Sequence, residues 1–82
     1  MDLRVHGSVP HTPFEDARSR LEPTHDVEKP IDIEIGADPE QRTWTGHHAD
    51  RHVLSLSQRT ATSAMATELA LHEFAHMHRA EE

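Results

Sequence analysis

The residues with the clearest chemical potential are two histidines and a glutamate in the run His72-Glu73-Phe74-Ala75-His76. Side chains four positions apart on an α-helix lie one turn apart on the same face, so two imidazoles at this spacing can bind one metal ion. A glutamate directly after the first histidine is typical of zinc sites in which that carboxylate acts as a general base. The motif therefore predicts zinc ligands at His72 and His76 and a catalytic base at Glu73.

Hydrolysis is the reaction that such a site supports. Zinc lowers the pKa of its bound water to about 7, so hydroxide is available at neutral pH. Glu73 is expected to take the proton from that water, while zinc polarises the carbonyl of a peptide bond. The same carboxylate then delivers the proton to the leaving amine. The predicted function is zinc-dependent hydrolysis of a peptide bond.

The segment that carries the motif has the composition of a helix. From Gln58 to Arg79, alanine, methionine, leucine and glutamate are frequent, and neither glycine nor proline occurs. This predicts one long helix. Met65, Leu69, His72 and His76 follow one stripe along it, so we expect a largely buried helix whose stripe ends in the two histidines.

The preceding segment predicts a helix and a small sheet. Pro13–Leu21 has a helix-initiating proline and acidic residues at its start, which favour a helix. Isoleucines and acidic residues alternate in Ile31–Ile35, as in a half-buried strand. Arg42–Gly46, with Trp44 in the core, and His52–Ser57 predict two more strands that form a hairpin. The predicted fold class is α+β: an N-terminal helix, a small three-stranded, largely antiparallel sheet and a long C-terminal helix that bears the site.

Composition limits the remaining functions. A chain of 82 residues corresponds to a single domain, residues 1–82. It has no cysteine, which excludes disulfides and thiolate metal ligands, and its net charge of −7 disfavours binding to nucleic acid. No apolar run approaches the roughly 18 residues of a membrane helix. We therefore expect a cytoplasmic protein whose partner is a peptide or protein substrate, not nucleic acid or a membrane.

The order of elements resembles the N-terminal half of a zincin metallopeptidase, in which a helix and a small sheet precede the helix with the HExxH motif. The stretch from Ser63 to Met77 also resembles uncharacterised zincin-like proteins of haloarchaea. The resemblance implies a zinc metallopeptidase with His72 and His76 as ligands and Glu73 as base. It also implies that the edge of one strand, which we expect to be Arg42–Gly46, receives an extended peptide by strand addition.

The resemblance leaves the third zinc ligand unassigned. Zincins supply it from downstream, but only six residues follow His76. His78 lies about 200° around the helix from His76 and faces away from the metal. Glu81 or Glu82 could reach the site only if the tail folds back. We therefore expect the chain to be the N-terminal portion of a longer catalytic domain and to be inactive alone.

A second group of polar residues, His47, His48, Asp50 and His52, has the short spacing of a divalent metal site. A polar hairpin turn is the interpretation that we favour, although one of these residues could swing over the zinc as a ligand or substrate binder. The alternative function for the whole chain is a non-catalytic, histidine-rich metal-binding or protein-interaction module. A third possibility is a structural face at His72 and His76 that packs against another subunit.

Overall fold

A computed structural model describes all 82 residues and has an α+β fold. Its elements in chain order are β1 (Leu3–His6), α1 (Thr12–Leu21), β2 (Ile31–Gly36), β3 (Trp44–His47), β4 (His52–Ser57), α2 (Gln58–Ala61) and α3 (Ala66–Ala80). None of the helices combines the length and the apolar character that crossing a membrane requires.

The sheet has four strands in the order β1-β2-β4-β3, and it is mixed. β1 pairs with β2 and β2 pairs with β4 in parallel, and only the β3–β4 hairpin is antiparallel. The prediction of a three-stranded, largely antiparallel sheet is therefore wrong, although the hairpin is confirmed. The physical reason is that α1 forms a crossover between β1 and β2, which allows these two strands to run in the same direction.

The core lies between one face of the sheet and the helices. In β2, Ile31 and Ile33 are fully buried and Glu34 is exposed, which confirms the predicted half-buried strand. All six residues of β4 are buried because this strand lies between two others. Phe14 of α1 and Phe74 of α3 are fully buried in the same apolar cluster as these isoleucines.

The predicted long helix is in fact two helices, because the chain leaves helical geometry between α2 and α3. The hydroxyl of Thr62 donates to the carbonyl of Gln58 at 2.9 Å, and the hydroxyl of Ser63 donates to the carbonyl of Thr60 at 2.7 Å. Such side-chain bonds to nearby carbonyls offer the backbone an alternative to continued helix. The composition of Gln58–Arg79 favours one continuous helix. The hydrogen bonds from the hydroxyls of Thr62 and Ser63 to nearby carbonyls interrupt it between α2 and α3.

Two predictions of burial are also wrong. The buried face of α3 consists of Ala66, Ala70, Phe74 and Met77, whereas Met65 at the head of the predicted stripe is 72% exposed. Trp44, which we expected in the core, is 52% exposed.

Trp44 is exposed because of its position in the hairpin register. It lies opposite Ser55, while the next residue, Thr45, lies opposite the fully buried Leu54. Successive side chains of a strand point to opposite faces of the sheet. The register therefore turns Thr45 towards the helices and Trp44 away from them.

Candidate metal centre

Burial of Phe74 determines where the two histidines of the motif point. Phe74 packs in the core, so the positions two residues before and after it lie on the outer side of α3. His72 and His76 are exposed, and their Nε2 atoms lie 3.0 Å apart. The structure thus brings these two predicted ligands together, at the same point on the surface.

The cluster of His72, Glu73 and His76 fits a metal ion. One ligand atom from each residue lies within 4.8 Å of the other two. Two nitrogens that bind one ion tetrahedrally at 2.0–2.1 Å lie about 3.4 Å apart, so the two rings need to separate by only a few tenths of an ångström. Imidazole nitrogens with a carboxylate form a donor set that suits a divalent transition metal. The cluster can therefore hold a metal ion.

Glu73 is held in a defined position beside the two histidines. Its side chain is 14% exposed, and its Oε2 accepts a hydrogen bond from the hydroxyl of Thr45 on β3. Its Oε1 lies 3.8 Å from Nε2 of His72 and is the oxygen nearer the cluster. Sequence reasoning missed Thr45, because alternation with Trp44 expected in the core places Thr45 on the opposite face of the sheet.

His52, which is buried, and Glu81, which is mostly buried, form a hydrogen-bonded pair. The side chain of His52 is 1% exposed, and its Nε2 lies 2.7 Å from Oε2 of Glu81. Its other ring nitrogen, Nδ1, lies 2.9 Å from Nδ1 of His47. The interpretation as part of a polar hairpin turn is therefore wrong for His52, which is the first residue of β4 as the predicted strand His52–Ser57 has it. The tail does not fold back: Glu81 continues the helical geometry at the end of α3, and its side chain contacts His52 and not the two histidines of the motif.

Glu81 accepts further hydrogen bonds from the backbone that precedes β2. The N–H of Glu28 donates to Oε1 at 2.8 Å, and the N–H of Lys29 donates to Oε2 at 3.1 Å. Desolvation alone would raise the pKa of Glu81, but these two N–H groups and His52 lower it below its usual value. Glu81 therefore remains an ionised acceptor that joins three parts of the chain.

The pH dependence of stability should reveal this role of Glu81. Because its pKa is lowered in the folded chain, its contribution is present above the usual value of 4.5 and is lost as pH falls through the folded value. We expect Glu81→Gln to cost about 1–3 kcal/mol at pH 7, and the gap to the unchanged chain to narrow in acid. Urea unfolding between pH 7 and 3, with a chelator, measures this. Glu82→Gln, at an exposed side chain, is the control, and a gap that is constant with pH would contradict the prediction.

The other polar residues of the hairpin turn do not join one ligand set. The backbone carbonyl of His48 accepts from Nζ of Lys29 at 3.1 Å, and Asp50 pairs with Arg51 at 3.1 Å. Both His48 and Asp50 are exposed. The proposed divalent site of these residues with His47 and His52 is not formed, and the favoured interpretation as a polar turn is confirmed for His48 and Asp50.

A surface depression of about 290 Å³ adjoins the metal cluster. Six of its seven lining residues are polar or charged, among them His78, whose ring packs edge-to-face on His25 with a centroid distance of 5.1 Å. The lining residues are His25, His72, Ala75, His76, His78, Arg79 and Glu82. The cluster is therefore accessible from solvent.

Comparison with known proteins assigns the chain to a family. Residues 1–82 match the model of a family of unknown function, DUF5781. The chain therefore belongs to this family. No curated protein and no solved structure matches it.

Proposed function

We propose that this chain is a zincin-like domain of a zinc-dependent peptidase, with His72 and His76 as zinc ligands and Glu73 as general base. The observation that carries the proposal is the convergence of these three side chains on one exposed part of α3, within 4.8 Å of one another. Exposure is required of a site that must admit both water and a polypeptide substrate. The nature of the ligands, two imidazoles on successive turns of a helix, favours zinc over magnesium or calcium.

The position of Glu73 supports its proposed role as general base. Bound zinc would act as a Lewis acid that acidifies water and polarises a carbonyl. The hydrogen bond from Thr45 holds Oε2 of Glu73, and Oε1 remains beside His72 to accept a proton. In the second half of the reaction the same carboxyl group returns that proton to the leaving amine.

The sheet supports the choice of a peptide as substrate. β3 is an edge strand, so one side of its backbone has no partner within the sheet. An extended peptide can add to such an edge through main-chain hydrogen bonds. Because Thr45 of β3 contacts Glu73 directly, a peptide on this edge would lie beside the metal cluster.

Metal analysis tests the site itself. We expect the purified chain to bind about one zinc ion, as a single HExxH cluster predicts, and His76→Ala to lose it, because the variant lacks the pair of imidazoles that α3 holds together. His11→Ala removes an exposed histidine just before α1 and serves as the control. Zinc content by mass spectrometry after dialysis is the measurement. Absence of zinc from the unchanged chain, or equal zinc in His76→Ala, would contradict the proposal.

A second candidate function is a non-catalytic metal-binding module. The observation in its favour is that His72 is 67% exposed and that the cluster contains only two imidazoles, whereas catalytic zinc sites have three protein ligands. An open site with two histidines suits reversible metal binding. This candidate predicts zinc binding without hydrolysis of any peptide, so catalysis distinguishes the two functions.

A further inference from the structure

A third histidine lies near the metal cluster, on the end of β3. Thr45 contacts Glu73, and His47 shares the helix-facing side of the strand with Thr45 because it is two residues further on. Two strand residues advance by about 6.6 Å, and the three helix residues from Glu73 to His76 advance by about 4.5 Å. If the two elements run in the same direction, His47 comes alongside His76.

The contacts of His52 establish that direction. His52 is the cross-strand neighbour of His47 and contacts Glu81, which follows His76 on the chain. β3 therefore runs along α3 from Glu73 towards its C-terminal end.

The hydrogen bonds that join His47, His52 and Glu81 bear on which ring nitrogen of His47 carries the proton. Ionised Glu81 has only acceptors, so Nε2 of His52 must donate to it. In a neutral His52 ring, Nδ1 is then an acceptor, and Nδ1 of His47 donates to it. In this arrangement, which requires a neutral His52 ring, the lone pair of His47 is on Nε2 and is available to a ligand.

We propose that His47 is the third ligand of the metal ion held by His72 and His76, with His52 and Glu81 as positioning residues. This inference rests on the proposed function and completes its site from within the chain. Three imidazoles with an open fourth position form the ligand set of a catalytic zinc ion. Histidine ligands are commonly oriented by a carboxylate that binds their second ring nitrogen. Here the ring of His52 lies between His47 and the carboxylate of Glu81.

The proposal requires a movement of the end of β3. The ring of His47 lies outside the group of ligand atoms that fall within 4.8 Å of one another. It is exposed, on the last residue of an edge strand whose following turn is also exposed. The proposal is that displacement of the strand end, with the hydrogen bond to His52 retained, brings Nε2 to the ion, and the buried core residues need not move.

Titration of the full chain with Zn²⁺ and with Co²⁺ tests this assignment. We expect His47→Ala to weaken zinc binding by more than about 100-fold, and Glu81→Gln by about 10–100-fold, the usual effect of losing an orienting partner. His47→Asp restores a donor atom and should recover part of the affinity, which loss of a purely structural contact would not allow. His48→Ala removes the adjacent, exposed histidine and should leave the affinity unchanged. The visible absorption of bound Co²⁺ should change in His47→Ala.

The outcomes separate this inference from the function on which it rests. If the unchanged chain binds zinc, His76→Ala abolishes binding and His47→Ala binds as tightly as the unchanged chain, the third ligand is not His47 and the metal site stands. If the unchanged chain binds no zinc, the proposed function and the inference both fail. Circular dichroism of each variant establishes that the fold is retained, and His47→Ala should retain it because the side chain is exposed.

Discussion

Replacing Glu73 with glutamine should lower the rate of peptide hydrolysis by about 10²–10⁴-fold, the usual contribution of a general base. This prediction applies to a chain whose ligand set His47 completes, since the expectation of an inactive chain rested on a missing third ligand. The amide has nearly the shape of the carboxylate, and its oxygen can still accept the hydrogen bond from Thr45. It cannot take a proton from water at neutral pH. Because His72 and His76 are unchanged, the variant should retain its zinc. Hydrolysis of a mixed peptide library and zinc content, measured on the same samples, test both parts of the prediction.

Glu68→Gln is the matched control for this experiment. It removes the same charge from α3 at a side chain that is 72% exposed. Full activity in Glu73→Gln would contradict the role of Glu73 as base. Loss of zinc from that variant would instead make Glu73 a ligand. If the unchanged chain binds zinc but cleaves no peptide, the non-catalytic metal-binding module is the better function.

Replacing Phe74 with alanine is expected to lower the free energy of unfolding by about 3–5 kcal/mol. Phe74 is fully buried in the core between the sheet and the helices, and its removal leaves a cavity that the surrounding side chains cannot fill. Small domains are stable by only about 5–15 kcal/mol, so much of the chain should unfold at physiological temperature. Urea denaturation with a chelator measures the change.

Phe74→Leu and Leu71→Ala serve as controls. Leucine at position 74 keeps an apolar side chain in the core, and Leu71 is only partly buried, so both variants should lose less stability than Phe74→Ala. A loss below about 1 kcal/mol in Phe74→Ala, less than a typical core truncation, would mean that α3 is not held by this side chain. The orientation of His72 and His76 would then need another explanation.

The central part of the candidate site depends on short-range geometry, which is why it could be predicted. His72 and His76 converge because residues four apart share a helix face, and Phe74 between them faces the core. The burial pattern of Ile31–Ile35 followed from strand alternation for the same reason. These features require only the period of a single element.

Features that depend on which strand or helix lies beside a given element could not be predicted. Alternation in β2 shows which side chains are buried, but it does not distinguish a parallel from an antiparallel neighbour, and the sheet is mostly parallel. The register of the hairpin decided that Trp44 faces outwards and Thr45 faces Glu73. A single tryptophan has no pattern of its own from which its face can be derived.

By itself, the sequence determined the strands of the hairpin, a helix over the motif and the pairing of two histidines with a glutamate, because local period and spacing decide these. The tertiary structure alone decided the environment of His52. Its partner Glu81 is 29 residues away along the chain, and a buried imidazole beside a carboxylate exists only because β4 and the end of α3 meet. Long-range contacts of this kind arise from packing of the whole core. As a result His52, which begins a strand next to a polar turn, is buried and contacts both Glu81 and His47.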